Sequence, residues 1–149
     1  MRIALGSDHI GHGLKQDIAR RLAEDGVTVF DLGTHDEDQV DHPDFAAAVA
    51  RAVADGRADR GVMVAANGAG PCMAANRIAG VRAVVGFDTY STKVAVEREH
   101  ANLLCLGSEV TGAGLADDLV RTFIGAEFDN DERHRRRLAK LRALEERTA

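Results

Sequence analysis

Short apolar runs alternate with amphipathic stretches along nearly the whole chain. Arg2 to Gly6, built on Ile3-Ala4-Leu5, reads as a first strand. Leu14, Ile18 and Leu22 recur every four residues and predict an amphipathic helix over 13–25, stopped by Gly26. Val27 to Leu32 is a second strand, and Asp44 to Ala54 an alanine-rich helix capped near His42-Pro43. Gly61 to Ala65 is a third, buried strand, followed by glycines and a helix over Met73 to Arg77. Arg82 to Phe87 is a fourth strand and Asp88 to Glu99 a helix. Leu103 to Gly107 is a fifth, with Cys105 as a core residue. Gly112 to Ile124 carries Leu115, Leu119 and Phe123 at helical spacing. The last helix, Asp129 to Glu146, opens acidic, as the helix dipole prefers. Five strand–helix repeats with short links predict one domain over residues 1–149, built on a doubly wound parallel sheet.

Composition narrows the function classes. With 149 residues, 45% of them hydrophobic and 29% charged, the chain can bury a core and is not disordered. A net charge of −5 and 4% aromatic residues with no Trp argue against a nucleic-acid surface. No run has the length of a membrane span, and the N-terminus goes straight into a strand, so a cytoplasmic location is expected. Two cysteines, Cys72 and Cys105, make no disulfide framework.

Three stretches hold candidate chemistry. In Gly61 to Arg77, a strand runs into Asn67-Gly68-Ala69-Gly70 and then Pro71, which suits a first helical turn. Such a loop leaves backbone N–H groups free to bind a phosphate, a carboxylate or an oxyanion, unless it is simply a tight turn. The polar triplet Ser7-Asp8-His9 ends the first strand, at the sheet edge where ligands sit in open α/β folds; Asp8 serves there either as a ligand or as a cap. Arg133 and Arg137, four apart on the last helix, form either a phosphate clamp or a solvated basic stripe, with Leu138, Leu141 and Leu144 opposite. The loop with His35, Asp36, Asp38, Asp41 and His42 matches no metal-ligand spacing, so no metal is expected.

Taken together, Ile-Ala-Leu-Gly-Ser-Asp-His, Asp-Leu-Gly-Thr, Asp-His-Pro-Asp, the glycine loop, Ala-Ala-Asn-Arg, Phe-Asp-Thr-Tyr-Ser, Ala-Asn-Leu-Leu-Cys-Leu-Gly and Arg-His-Arg-Arg-Arg resemble one family nearly end to end. It is the sugar-phosphate isomerase family of ribose-5-phosphate isomerase B and the galactose-6-phosphate isomerase subunits. The resemblance implies a Rossmann-like three-layer α/β/α fold with a five-stranded parallel sheet. It implies a homodimer or dimer of dimers, with sites across the interface. It also implies aldose–ketose interconversion of a sugar phosphate without metal or other cofactor. In that reading Asp8 and His9 contact the sugar, Ala66, Asn67, Gly68, Ala69 and Gly70 form the anion hole, and Arg133 and Arg137 hold the phosphate. His42 takes the place of the family's tyrosine.

The departures bear on catalysis. Ala65 stands where many members have a catalytic Cys, and Pro71 where others have a Glu. The family's ring-opening His falls on Arg98 in ungapped register, with His100 two residues on. Glu109 replaces a phosphate-binding Arg, and Ser108-Glu109 with Gly68-Ala69-Gly70 resembles the galactose-6-phosphate isomerase A subunit. Cys72, in the first turn of a helix where a thiol pKa falls, is the replacement base this reading nominates, with His100 as the acid and Asp8 as the next candidate base. The alternatives are a non-catalytic sugar-phosphate-binding subunit and, less well matched, a nucleotide-binding module, since the loop is not Gly-x-Gly-x-x-Gly.

Overall fold

A computed structural model describes residues 1–146. Its elements, in order, are β1 (Arg2–Ser7), α1 (His12–Glu24), β2 (Thr28–Asp31), α2 (His42–Ala54), β3 (Arg60–Ala65), α3 (Ala69–Ala75), β4 (Ala83–Val85), α4 (Thr89–Glu99), β5 (Leu103–Gly107), α5 (Ala113–Gly125) and α6 (Glu132–Glu146). The sheet is five-stranded and all-parallel, in the order β2-β1-β3-β5-β4. The predicted α/β/α architecture is what forms.

Both faces of the sheet are buried, which is why its central strands read as unbroken apolar runs. Ile3, Leu5, Val62, Val64, Leu104 and Leu106 face α1, α4 and α5, meeting Ile18, Leu22, Val96, Leu119 and Phe123. Ala4, Met63, Leu103 and Cys105 face α2 and α3, meeting Val49, Ala50 and Ala75. Each large apolar side chain withdrawn from water this way contributes roughly 1.5–3 kcal/mol. The β1–β3 junction is the switch point: the chain leaves β1 toward β2 on one side and returns to β3 on the other.

Several boundaries differ from the sequence expectation. α2 starts at His42, not Asp44, because the extended Asp41 precedes it with its carbonyl accepting from the Asp44 N–H, and Pro43 occupies an early helical position where its missing N–H is not needed. α3 starts at Ala69 rather than Met73, because Gly68 takes the left-handed conformation (φ 80°) and turns the chain at once. β4 keeps three residues, since the Arg82 N–H is bound by the Asn102 side chain instead of a strand. α6 begins at Glu132, after Asp131 accepts a hydrogen bond from the Arg133 N–H. Leu115 stays 41% exposed; Ala116 takes its place on the buried stripe of α5.

Candidate active site

Three strand ends are tied together at the carboxyl edge of the sheet. The Asp8 N–H donates to the Val64 carbonyl (3.1 Å), the Ser108 N–H to that of Ala65 (2.8 Å) and the Glu109 N–H to that of Ala66 (3.0 Å). The Ser108 hydroxyl reaches the Ile10 carbonyl at 3.2 Å. Glycines make the approach possible: a Cβ on Gly11 would stand 2.4 Å from the Val64 oxygen, and one on Gly107 2.5 Å from the Cα of Asn67. Asp8 is buried and accepts from the Gly11 N–H at 2.9 Å, so it does cap the turn into α1 while remaining at the site. His9 Nδ1 accepts from the Val40 N–H (3.2 Å), which leaves the proton of the neutral ring on Nε2.

The 66–70 loop closes this edge. Asn67 Oδ1 accepts from the Ala69 N–H (3.0 Å) and the Gly68 carbonyl from the Cys72 N–H (3.2 Å). The N–H groups of Asn67, Gly68 and Gly70 take no hydrogen bond among the described residues. Gly68 is buried and Gly70 half-buried, positions where an amide is normally satisfied, and an anion satisfies such groups well. His42 presses against the loop, its ring atoms 2.6–3.3 Å from where a Cβ on Gly70 would stand.

Cys72 lies one helical turn below. Its Sγ donates to the Ala83 carbonyl (3.4 Å) and accepts from Asn76 Nδ2 (3.6 Å). A hydrogen bond from the buried Cys105 thiol brings the Cys72 pKa down to about 7 against the opposing effect of burial, while Cys105 is pushed up by the same bond and by its own burial. Ala83 pairs with Leu103 at the start of β5, so the Cys72 sulfur is turned toward the sheet and away from the strand ends.

The remaining candidates occupy the opposite edge. His100 ends α4 in the left-handed conformation (φ 56°), just before β5. It stacks on Phe128 with centroids 4.7 Å apart, and its carbonyl accepts from Arg82 Nε at 2.6 Å. Burial, then the charges of Arg82, Arg142 and Arg60, lowers its pKa and favours the neutral ring. Arg98, in the last turn of α4, is exposed. So are Arg133 and Arg137 on α6, the former 3.5 Å from Asp131. α6 is anchored there because the Asp129 N–H donates to the Glu97 carbonyl and buried His134 meets the Asp129 carboxylate at 2.8 Å. A strand of five or six residues separates the two edges, roughly 17–20 Å at 3.3 Å per residue. Within one chain, therefore, Asp8, His9, His42 and the 66–70 loop gather together, whereas Arg98, His100, Arg133 and Arg137 form a second group.

Sequence reasoning missed Lys15. It is fully buried, with Nζ 2.6 Å from Asp31 Oδ1 and 2.6 Å from the Thr34 carbonyl. Thr34 and Gly33 in turn bond the backbone of Ser7, next to Asp8. A lysine three positions before Ile18, on the apolar stripe of α1, was the available signal.

An open α/β sheet with unpaired amides and acidic and imidazole side chains at its carboxyl edge places the chain in the doubly wound class, whose ligand sites lie at that edge. Comparison with known proteins is more specific. The Ribose/Galactose Isomerase family profile matches residues 3–141. Ribose-5-phosphate isomerase B of Escherichia coli is 40% identical over 146 residues, 98% of this chain and 97% of that one. D-erythrulose-4-phosphate isomerase 2 of Mycolicibacterium smegmatis is 38% identical over 132 residues, 87% of each chain. The solved ribose-5-phosphate isomerase B of Clostridium thermocellum superposes with a TM-score of 0.98 at 42% identity, covering 100% of both chains. The chain belongs to the ribose/galactose isomerase family.

Proposed function

We propose that this protein interconverts an aldose phosphate and a ketose phosphate of four to six carbons through an enediolate, as a homodimer or dimer of dimers. The observation that carries the reading is the free N–H groups of Asn67, Gly68 and Gly70 beside Asp8 and His9. Amides aimed at a developing O⁻ stabilise the enediolate more than the starting carbonyl, which is what accelerates the step. Asp8 and His9 hold sugar hydroxyls. Relatives named for ribose 5-phosphate and D-erythrulose 4-phosphate support the substrate class.

The two separated groups support the dimer. Arg133 and Arg137 lie too far from their own loop to hold the phosphate of a sugar bound there. They serve the site of the partner subunit instead, with His100 of the partner subunit opening the sugar ring and α6 at the interface. Exposed Met73 (71%), Phe87 (66%), Tyr90 (71%) and Val110 (62%) around the loop edge, and Leu141 (42%) on α6, are surface that a second copy would cover.

A second reading, a non-catalytic sugar-phosphate-binding subunit, is favoured by Ala65 and Pro71, neither of which can take a proton. Assay of the purified chain alone against tetrose, pentose and hexose phosphates separates the two. Conversion of at least one at an ordinary enzymatic rate, roughly 1–1000 per second, is expected. Thermal stabilisation by a sugar phosphate with no conversion of any establishes the second reading instead.

A further inference from the structure

The base is the part of the isomerase that neither the family pattern nor Cys72 supplies well. It must reach the proton on C2 while O1 of the sugar sits on the loop amides. The Cys72 thiol has a suitable pKa but is engaged with Ala83, Asn76 and Cys105, on the sheet side of α3. Asp8 is fixed through Oδ1 by the Gly11 N–H, and its other oxygen is assigned above to the sugar hydroxyls.

His42 is placed differently. It opens α2, and its Nε2 and Cε1 lie 2.6 and 2.7 Å from where a Cβ on Gly70 would be. An imidazole thus forms one wall of the amide loop, and only a glycine at position 70 lets it come so close. Its Nδ1 is buried and has no hydrogen-bond partner among the described residues. With Nδ1 enclosed by the protein, the nitrogen left to meet a ligand is Nε2, on the side of the ring toward Gly70.

We propose that His42 is the base that moves the proton between C2 and C1 of the sugar phosphate. The assignment rests on the isomerase reading above. In the neutral ring the lone pair of Nε2 takes the proton from C2. The C–H electron pair becomes the C1–C2 double bond, and the carbonyl pair moves onto O1, against the amides of Asn67, Gly68 and Gly70. The O2 hydroxyl proton passes to O1. The imidazolium then returns its proton to C1 as the C2 carbonyl forms. One proton leaves carbon and one returns, and no oxidant or reductant is needed.

The experiment uses whichever sugar phosphate the wild type converts, with His42→Gln, His42→Ala, Gly70→Ala and Cys72→Ser. His42→Gln is expected to lower kcat by about a hundredfold or more, the worth of a positioned base. Its KM should stay within about threefold, since a base acts on the transition state. In D2O, exchange of solvent deuterium into the substrate should be lost with the same variant. Added imidazole should restore part of the turnover of His42→Ala. Gly70→Ala, which displaces the ring, should follow His42→Gln, and Cys72→Ser tests the competing thiol base. Retained turnover and exchange in His42→Gln, or a loss confined to Cys72→Ser, overturns the assignment and leaves the isomerase reading standing. A wild type that converts no sugar phosphate overturns the isomerase reading itself.

Discussion

A lysine with no exposed surface ties the β2–α2 loop to the site. The buried Lys15 ammonium holds both Asp31 and the Thr34 carbonyl, and the backbone of Gly33 and Thr34 then fixes Ser7 beside Asp8. Removing one partner of such a pair leaves the other poorly solvated. Lys15→Ala is therefore expected to destabilise the fold by about 3 kcal/mol, the low end of the range for a broken buried pair, because Asp31 is still 30% exposed. Urea unfolding at neutral pH measures it. The pH dependence has a defined sign. Burial alone would raise the Asp31 pKa, but the Lys15 hydrogen bond, the Gly33 N–H and the Lys15 charge together bring it below the ordinary 3.8. A depressed carboxyl pKa gives stability that is present above 3.8 and lost as pH falls through the folded value. The gap between wild type and Lys15→Ala should thus narrow as the unfolding is repeated below pH 3.8. A gap that stays constant would show that the charge pair is not its source.

At the scale of elements, α3 decides how the loop is presented. Its seven residues follow directly on Gly68, whose φ of 80° reverses the chain at the end of β3. A Cβ there would lie 3.2 Å from the main chain of Leu106 and 3.3 Å from that of Cys105. Gly68→Ala therefore carries the left-handed penalty of roughly 1–2 kcal/mol, plus whatever the loop yields to relieve the contact. The expected result is a lower melting temperature together with loss of stabilisation by sugar phosphate. Gly13→Ala, at an exposed helical position with open space around its Cα, should show neither.

At the scale of the whole molecule, the proposed site draws on two groups of residues that lie at opposite edges of the sheet. If each site draws Arg133 and Arg137 from the partner subunit, the double change Arg133→Ala, Arg137→Ala weakens phosphorylated ligands by roughly 1.5–3 kcal/mol per charged contact. Binding of unphosphorylated sugars should be unchanged. A mixing experiment is more decisive. The double variant and His42→Gln each lack one half of every site. Refolded together in equal amounts they form mixed dimers in which one site is intact, so about a quarter of wild-type turnover should return, as two-fold symmetry requires. No recovery on mixing would place all of these residues in one subunit's site, against the geometry of the single chain.

Much of this was legible in the sequence because the physics involved is local. Strands buried on both faces must be apolar throughout, so β1, β3 and β5 could be read from their composition. Leu14, Ile18 and Leu22 marked α1, and Gly26 marked its end. Asp8 and the glycine loop could be assigned to one sheet edge because parallel strands put all their carboxyl ends on the same side. The tertiary structure decided what depends on residues distant in sequence. That Cys72 faces Ala83 and Cys105, while His42 faces Gly70, follows from how α2 and α3 pack on the sheet. A position on a helix fixes the face a side chain takes, but not what stands opposite it. The separation of Arg133, Arg137 and His100 from the loop is likewise a matter of which end of the sheet α4 and α6 reach. Spacing along a chain carries no trace of that distance until the strands between are laid down.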